Sequence, residues 1–224
     1  MEELMESIVN LNRNMKCVVA YFVTFFLAWM IRVVYIGPYF IEKFNNNIYI
    51  FTFLTESIRV LLFIGPILLY LRYIDGVNPI SFLKLNVQMI KNIKIGILIG
   101  FLAILFAVIG LGYQHASLHI GKYWATALVI GLAEEIPFRG FLLQKFEEYL
   151  SFWKANCLTA FLFMAIHFPS YIFHNNSNML IEGIGVFAWG LVFGFIFNKT
   201  KSLLPCIISH SMYDLACFIL IGKS

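Results

Sequence analysis

Six ionisable side chains stand in stretches that otherwise read as lipid-buried helix: Glu134, Glu135, Arg139, His167, His210 and Asp214. A charged residue at the bilayer centre costs about 2.5–3.5 kcal/mol on insertion scales. Such a group persists in a span when it pairs, lines a wet cavity or takes part in chemistry. Carboxylates and imidazoles together supply what hydrolysis needs: a base to take a proton from water, and donors for a developing oxyanion. Two imidazoles and a carboxylate also make a plausible zinc set with one position open for water.

The spacing sorts these residues. Adjacent helical positions point about 100° apart, so Glu134 and Glu135 are expected to face different spots. Glu135 and Arg139 are four apart, share a face and can pair, which removes two bare charges from lipid. Glu134 is then left without a partner nearby in sequence. Pro137 cannot donate a backbone hydrogen bond, so it frees the carbonyl of Ala133 and predicts a kink beside that carboxylate. His210 and Asp214 are again four apart on one face, and His167 comes from a different helix.

The elements that must position them are membrane spans. The chain has 224 residues, of which 61% are hydrophobic and 12% charged, with a mean hydropathy of +0.83. Soluble domains carry about 25% charge, so the composition specifies an integral membrane protein. The net charge of +4 gives no reason to expect a nucleic-acid partner. We expect an all-α, polytopic helix bundle forming a single domain over 1–224, with a motif-bearing core over 123–221. About 20 helical residues cross a bilayer. Seven runs qualify: Cys17–Ile36, Ile48–Leu71, Ile95–Tyr113, Tyr123–Leu143, Ala155–Phe173, Met179–Phe197 and Leu203–Ile221. The first is read as a span rather than a removable signal, because it is full length and its leader holds Glu2, Glu3 and Glu6. Ten loop lysines and arginines fall on one side and three on the other, which predicts a cytoplasmic N-terminus.

Depth supports a shared site. At the α-helical rise, Glu134, His167 and His210 lie roughly 13, 18 and 10 Å from the cytoplasmic ends of their spans. Three helices are thus predicted to present them to one cavity. Gly96/Gly100 and Gly190/Gly194 predict close helix approaches. The four cysteines read as small buried hydrophobes, Glu56 and Arg59 as a mutually neutralising pair, and Arg32 as a snorkelling cation. His115 and His119 have a loosely metal-like spacing in an external loop, and His174 to Asn176 read as a turn.

The series Glu-Glu-x-x-x-Arg, Phe-x-x-x-His and His-x-x-x-Asp, at Glu134–Arg139, Phe163–His167 and His210–Asp214, resembles the three signature motifs of the CAAX protease and bacteriocin-processing (Abi) family of intramembrane endopeptidases. Residue chemistry and resemblance give the same roles. Glu134 would activate water, His167 would hold that water, and His210 would donate to the oxyanion. Asp214 stands where the family also uses Asn. It would either orient His210 or donate as a protonated acid. Glu135 and Arg139 would be a positioning pair. No cofactor is favoured; zinc held by Glu134, His167 and His210 is the alternative, weakened by the lack of a compact H-E-x-x-H helix.

The expected substrate is a membrane-associated or leader-bearing peptide at a cell membrane, and the residue usage looks like that of a bacterial plasma-membrane protein. The competing expectations are a non-catalytic scaffold or bacteriocin-immunity protein, and a small proton-coupled transporter. The transporter is weakened because no internal repeat is visible.

Overall fold

Apolar runs in lipid must satisfy their own backbone polar groups, and helix is the form a single segment can use. The computed structural model describes residues 2–44, 47–111 and 124–220, and every regular element among them is helical. Helix α1 runs Glu2–Ile31 and continues through a π turn at Arg32–Ile36 into Gly37–Phe44. Helix α2 covers Ile48–Phe63, Gly65–Leu69 and a π turn at Tyr70–Ile74. A short α3 spans Pro79–Phe82, and α4 spans Met89–Leu111. Helix α5 joins Trp124–Glu135, a π segment at Ile136–Leu143, and Gln144–Glu147. Helix α6 joins Phe152–Ala165 to Phe168–Phe173; α7 is Met179–Thr200 and α8 is Leu204–Leu220.

Five of these are long and apolar enough to cross a membrane: Met15–Phe44, Tyr49–Ile74, Met89–Phe106, Phe152–Phe173 and Met179–Thr200. The other two expected spans, α5 and α8, carry the acidic pair and the His210–Asp214 pair. Three charges crowd the middle of α5, and α8 is described over only 17 residues. The ends expected at Tyr113, Tyr123 and Ile221 lie outside the described residues, as do His115 and His119.

Small residues set the closest approaches. Helix α8 lies against α4 and α5, and α7 lies against α6. A Cβ on Gly96 would stand 2.9 Å from the Ile208 Cβ, and one on Gly131 would stand 2.7 Å from the Ile207 carbonyl. Gly190 faces Ala160 at 2.9 Å, and Gly194 faces the Asn156 amide. Around these seams a phenylalanine core forms. Phe25 meets Phe63 at 4.3 Å and Phe138 at 6.1 Å, while Phe138 meets Phe163 at 5.1 Å, each edge to face. These rings dock α1 and α2 onto α5 and α6.

The connection between α2 and α4 is latched. Asn78 caps α3 by accepting from the Ile80 amide at 2.9 Å. Gln144 Nε2 donates to the Phe82 carbonyl at 2.9 Å. Lys145 pairs with Asp75 at 2.9 Å and Glu148 at 2.8 Å. Lys84, left-handed at φ 53°, turns its carbonyl to the Leu203 amide at 3.3 Å.

Two expectations are corrected. Of the four cysteines only Cys206 is buried; Cys157 is exposed on the outer face of α6, where a small thiol suits a lipid-facing position. Arg32 does not reach away from the bundle: its guanidinium lies 4.8 Å from the Trp29 ring centre, because an aromatic face gives a cation a partner inside the apolar layer.

Candidate active site

Two prolines shape the site. Pro137 cannot bond back to Ala133, and from Ile136 to Leu143 the helix takes the wider π winding. The expected disturbance is therefore a π segment, and its eight residues are all buried. Pro169 acts likewise in α6. It cannot bond back to Ala165, the helix stops there, and His167 sits in the turn before the next helical segment. The Phe168-Pro169 step directly after His167 is a legible signal of this break, one that helical spacing alone passes over.

His167 Nδ1 lies 2.8 Å from the Phe163 carbonyl. A carbonyl only accepts, so Nδ1 carries the proton and Nε2 of the neutral ring is an acceptor. His210 is held from both sides. Its Nδ1 meets Glu135 Oε1 at 2.7 Å, while Nε2 faces Asp214 Oδ2 at 3.6 Å and Glu134 Oε2 at 4.0 Å. Glu134 and Glu135 do leave the helix in different directions, yet both reach the same imidazole, because the ring stands across the gap between them. Glu135 is thus the carboxylate at His210 Nδ1, and Asp214 sits at the opposite nitrogen. This Glu135–His210 contact joins residues 75 apart, and no local spacing shows it.

The Glu135–Arg139 pair forms as expected, at 3.1 Å with both side chains buried. Arg139 also donates to the Gly190 carbonyl at 3.2 Å, and its guanidinium lies 4.2 Å from the Phe163 ring centre and 5.4 Å from that of Phe193. Glu135 Oε1 accepts from both Arg139 and His210, while its Oε2 is buried with no hydrogen-bond partner.

Glu134, His167, His210 and Asp214 line one cavity of about 230 Å³, together with Arg59, Trp29, Ser170 and Tyr171. Glu134 and His210 are 7% and 8% exposed, so the polar wall is recessed. A second cavity of about 110 Å³ lies beside it, bounded by Phe163, Trp189 and Phe193, with His167, His210 and Asp214 shared between the two. Residues that the sequence left outside the site are Arg59, Trp29, Ser170 and Tyr171. The Glu56–Arg59 pair forms at 3.4 Å as expected, but Arg59 also faces the cavity.

Residues 116–216 match the family model described as type II CAAX prenyl endopeptidase Rce1-like. The matched stretch holds all six polar residues and agrees with the family that the three motifs resemble. It supports intramembrane protease activity for this multi-pass chain. No curated protein and no solved structure gave a match.

The zinc alternative can be tested on the donors themselves. Among the described residues no group of three or more His, Cys, Asp or Glu side chains is arranged to hold a metal ion. His210 Nδ1 is engaged by Glu135 and His167 Nδ1 by Phe163, which leaves Nε2 as the one nitrogen of each ring able to meet a metal or a water.

Proposed function

We propose that this chain is a membrane-embedded endopeptidase that cuts a membrane-associated or leader-bearing peptide with water activated by Glu134 and His167. The observation that carries the reading is one recessed cavity lined by Glu134, His167, His210 and Asp214 from three separate helices. Glu134 is the base: its carboxylate takes a proton as the water attacks the peptide carbonyl, and later passes that proton to the leaving amine. His167, with its proton fixed on Nδ1, offers Nε2 as an acceptor that aims the same water. His210, locked by Glu135 on Nδ1, directs Nε2 into the cavity, where a proton on that nitrogen faces acceptors. That makes it the donor to the oxyanion. Asp214 lies beside Nε2 and either shares this proton or, protonated, adds a second donor. The metal-free course is preferred because the chain lacks a compact H-E-x-x-H helix.

The test is cleavage of a peptide library by the purified full chain in lipid nanodiscs. Glu134→Gln is expected to lower the rate by about 10²-fold or more, a typical loss of a positioned base, with unchanged membrane level. Asp214→Asn retaining activity while Asp214→Ala loses it would support hydrogen bonding over charge. Zinc bound in stoichiometric amount, with activity lost to chelator and restored by the metal, would overturn the metal-free course. An unchanged product profile in both Glu134→Gln and His167→Ala would return the chain to the scaffold reading.

A further inference from the structure

The wall of the cavity opposite His210 comes from α1 and α2 and holds a cation whose bonding is incomplete. Arg59 is 7% exposed, yet its Nε and Nη1 have no hydrogen-bond partner. Glu56 stands 3.4 Å from Nη1, and Glu56 Oε2 is itself without a hydrogen bond. A guanidinium carries five N–H donors, and leaving them buried and unmet is costly. Arg139 shows what completion looks like in this bundle: a carboxylate, a carbonyl and two aromatic faces.

The position of Arg59 is nonetheless fixed. Its guanidinium lies 5.5 Å from the Trp29 ring centre. That ring is anchored in turn by an indole N–H donating to the Ile166 carbonyl at 2.8 Å, one residue before His167. The other charged groups lining the cavity, Glu134 and Asp214, are acidic. A neutral peptide backbone has no reason to prefer this wall. A carboxylate does, because it is repelled from the acidic side and matched by a planar guanidinium in a poorly hydrated space.

We propose that Arg59 binds a carboxylate of the peptide, either its C-terminal group or an acidic side chain, and so selects and orients the substrate. This rests on the protease reading and names its substrate class. Arg59 is then a specificity-determining residue supplied by α2, outside the stretch 116–216 that carries the family match.

The probe is a fluorescent, N-capped octapeptide library made in three forms. One has a free C-terminal carboxylate and no Asp or Glu; one is the same set amidated; one is amidated with a single Glu. Binding is measured to the full chain carrying Glu134→Gln, and cleavage is measured with unaltered Glu134. One of the carboxylate forms is expected to bind at least about tenfold tighter than the neutral set, as a lost charged hydrogen bond implies. The form that gains identifies which carboxylate is read. Arg59→Gln is expected to erase that preference and Arg59→Lys to keep part of it. Equal binding of all three forms, binding of none, or a preference that survives Arg59→Gln would overturn the proposal. The comparison among forms on unaltered Arg59 stands even if a variant folds poorly. Cleavage without preference would sink Arg59 and leave the protease reading intact. Preference without cleavage of any form would do the reverse.

Discussion

Two buried glutamate–arginine pairs, one in each half of the bundle, are completed in opposite ways. Glu135 and Arg139 in α5 sit at 3.1 Å, and their neighbours finish the job: the Gly190 carbonyl, two phenylalanine rings and the imidazole of His210. Glu56 and Arg59 in α2 sit at 3.4 Å, with two guanidinium nitrogens and one carboxylate oxygen unmet. Helical spacing alone makes both look like mutual neutralisation. Partners from other helices separate them: one pair braces the His210 ring, and the other is left under-bonded at the cavity wall.

The largest test of that contrast removes both charges of each pair at once. Glu135→Gln with Arg139→Met is expected to cost about 2–4 kcal/mol, because the Gly190 carbonyl loses its donor and His210 its charged acceptor. Glu56→Gln with Arg59→Met is expected to stay within about 1 kcal/mol, since an under-bonded buried pair gives up little when replaced by neutral groups of similar size. Thermal or denaturant unfolding in detergent measures both. Equal losses would erase the distinction.

Glycines give a smaller comparison between the same two helical regions. A Cβ on Gly190 would press on the Ala160 Cα at 3.0 Å and stand 3.4 Å from Arg139 Nη2. Gly190→Ala should therefore destabilise by about 1–3 kcal/mol and lower cleavage with it. Gly65 in α2 has nothing within 4 Å, and Gly65→Ala should be neutral or stabilising by up to about 1 kcal/mol. A Gly190→Ala protein that unfolds like the parent would show that the α6–α7 seam is slack.

The smallest expected effect lies in the latch around Lys145, beyond the spans. Burial pulls the Lys145 pKa down, but hydrogen bonds and charges from Glu148 and Asp75 outweigh it and hold the pKa above the ordinary lysine value. The stabilisation is therefore full below the ordinary lysine range and is lost as pH rises through the raised value. Lys145→Met should lower stability by a constant amount through neutrality and flatten the alkaline limb of an unfolding-against-pH curve. An alkaline limb that stays as steep as before would place its origin elsewhere.

Much of the C-terminal half was legible because charge in an apolar run is conspicuous. Glu134, His167, His210 and Asp214 announced themselves by type, and helical rise put the first three at similar depth. The Glu135–Arg139 pair followed from spacing. What stayed hidden depends on rotation and approach between helices. Nothing local says that His210 turns Nδ1 to Glu135, or that Arg59 and Trp29 close the far wall. Trp29 reads as one more aromatic in α1 until its indole N–H meets Ile166. The π winding after Glu135 was half visible: Pro137 dictates a disturbance, but not that the helix widens through it.

A π segment is an α-helix with residues to spare, and each spare residue shifts the angular phase of the downstream helix by roughly 100°. Upstream of it, Glu134 and Glu135 are registered by the Gly131 contact on α8; downstream, Gln144 and Lys145 are registered by Phe82 and Asp75. Deleting one residue from Ile136–Leu143 would thus leave the acids where they are and swing the Gln144–Glu147 end out of register. The widened stretch works as a clutch plate between two helical ends that must each keep their own bearing.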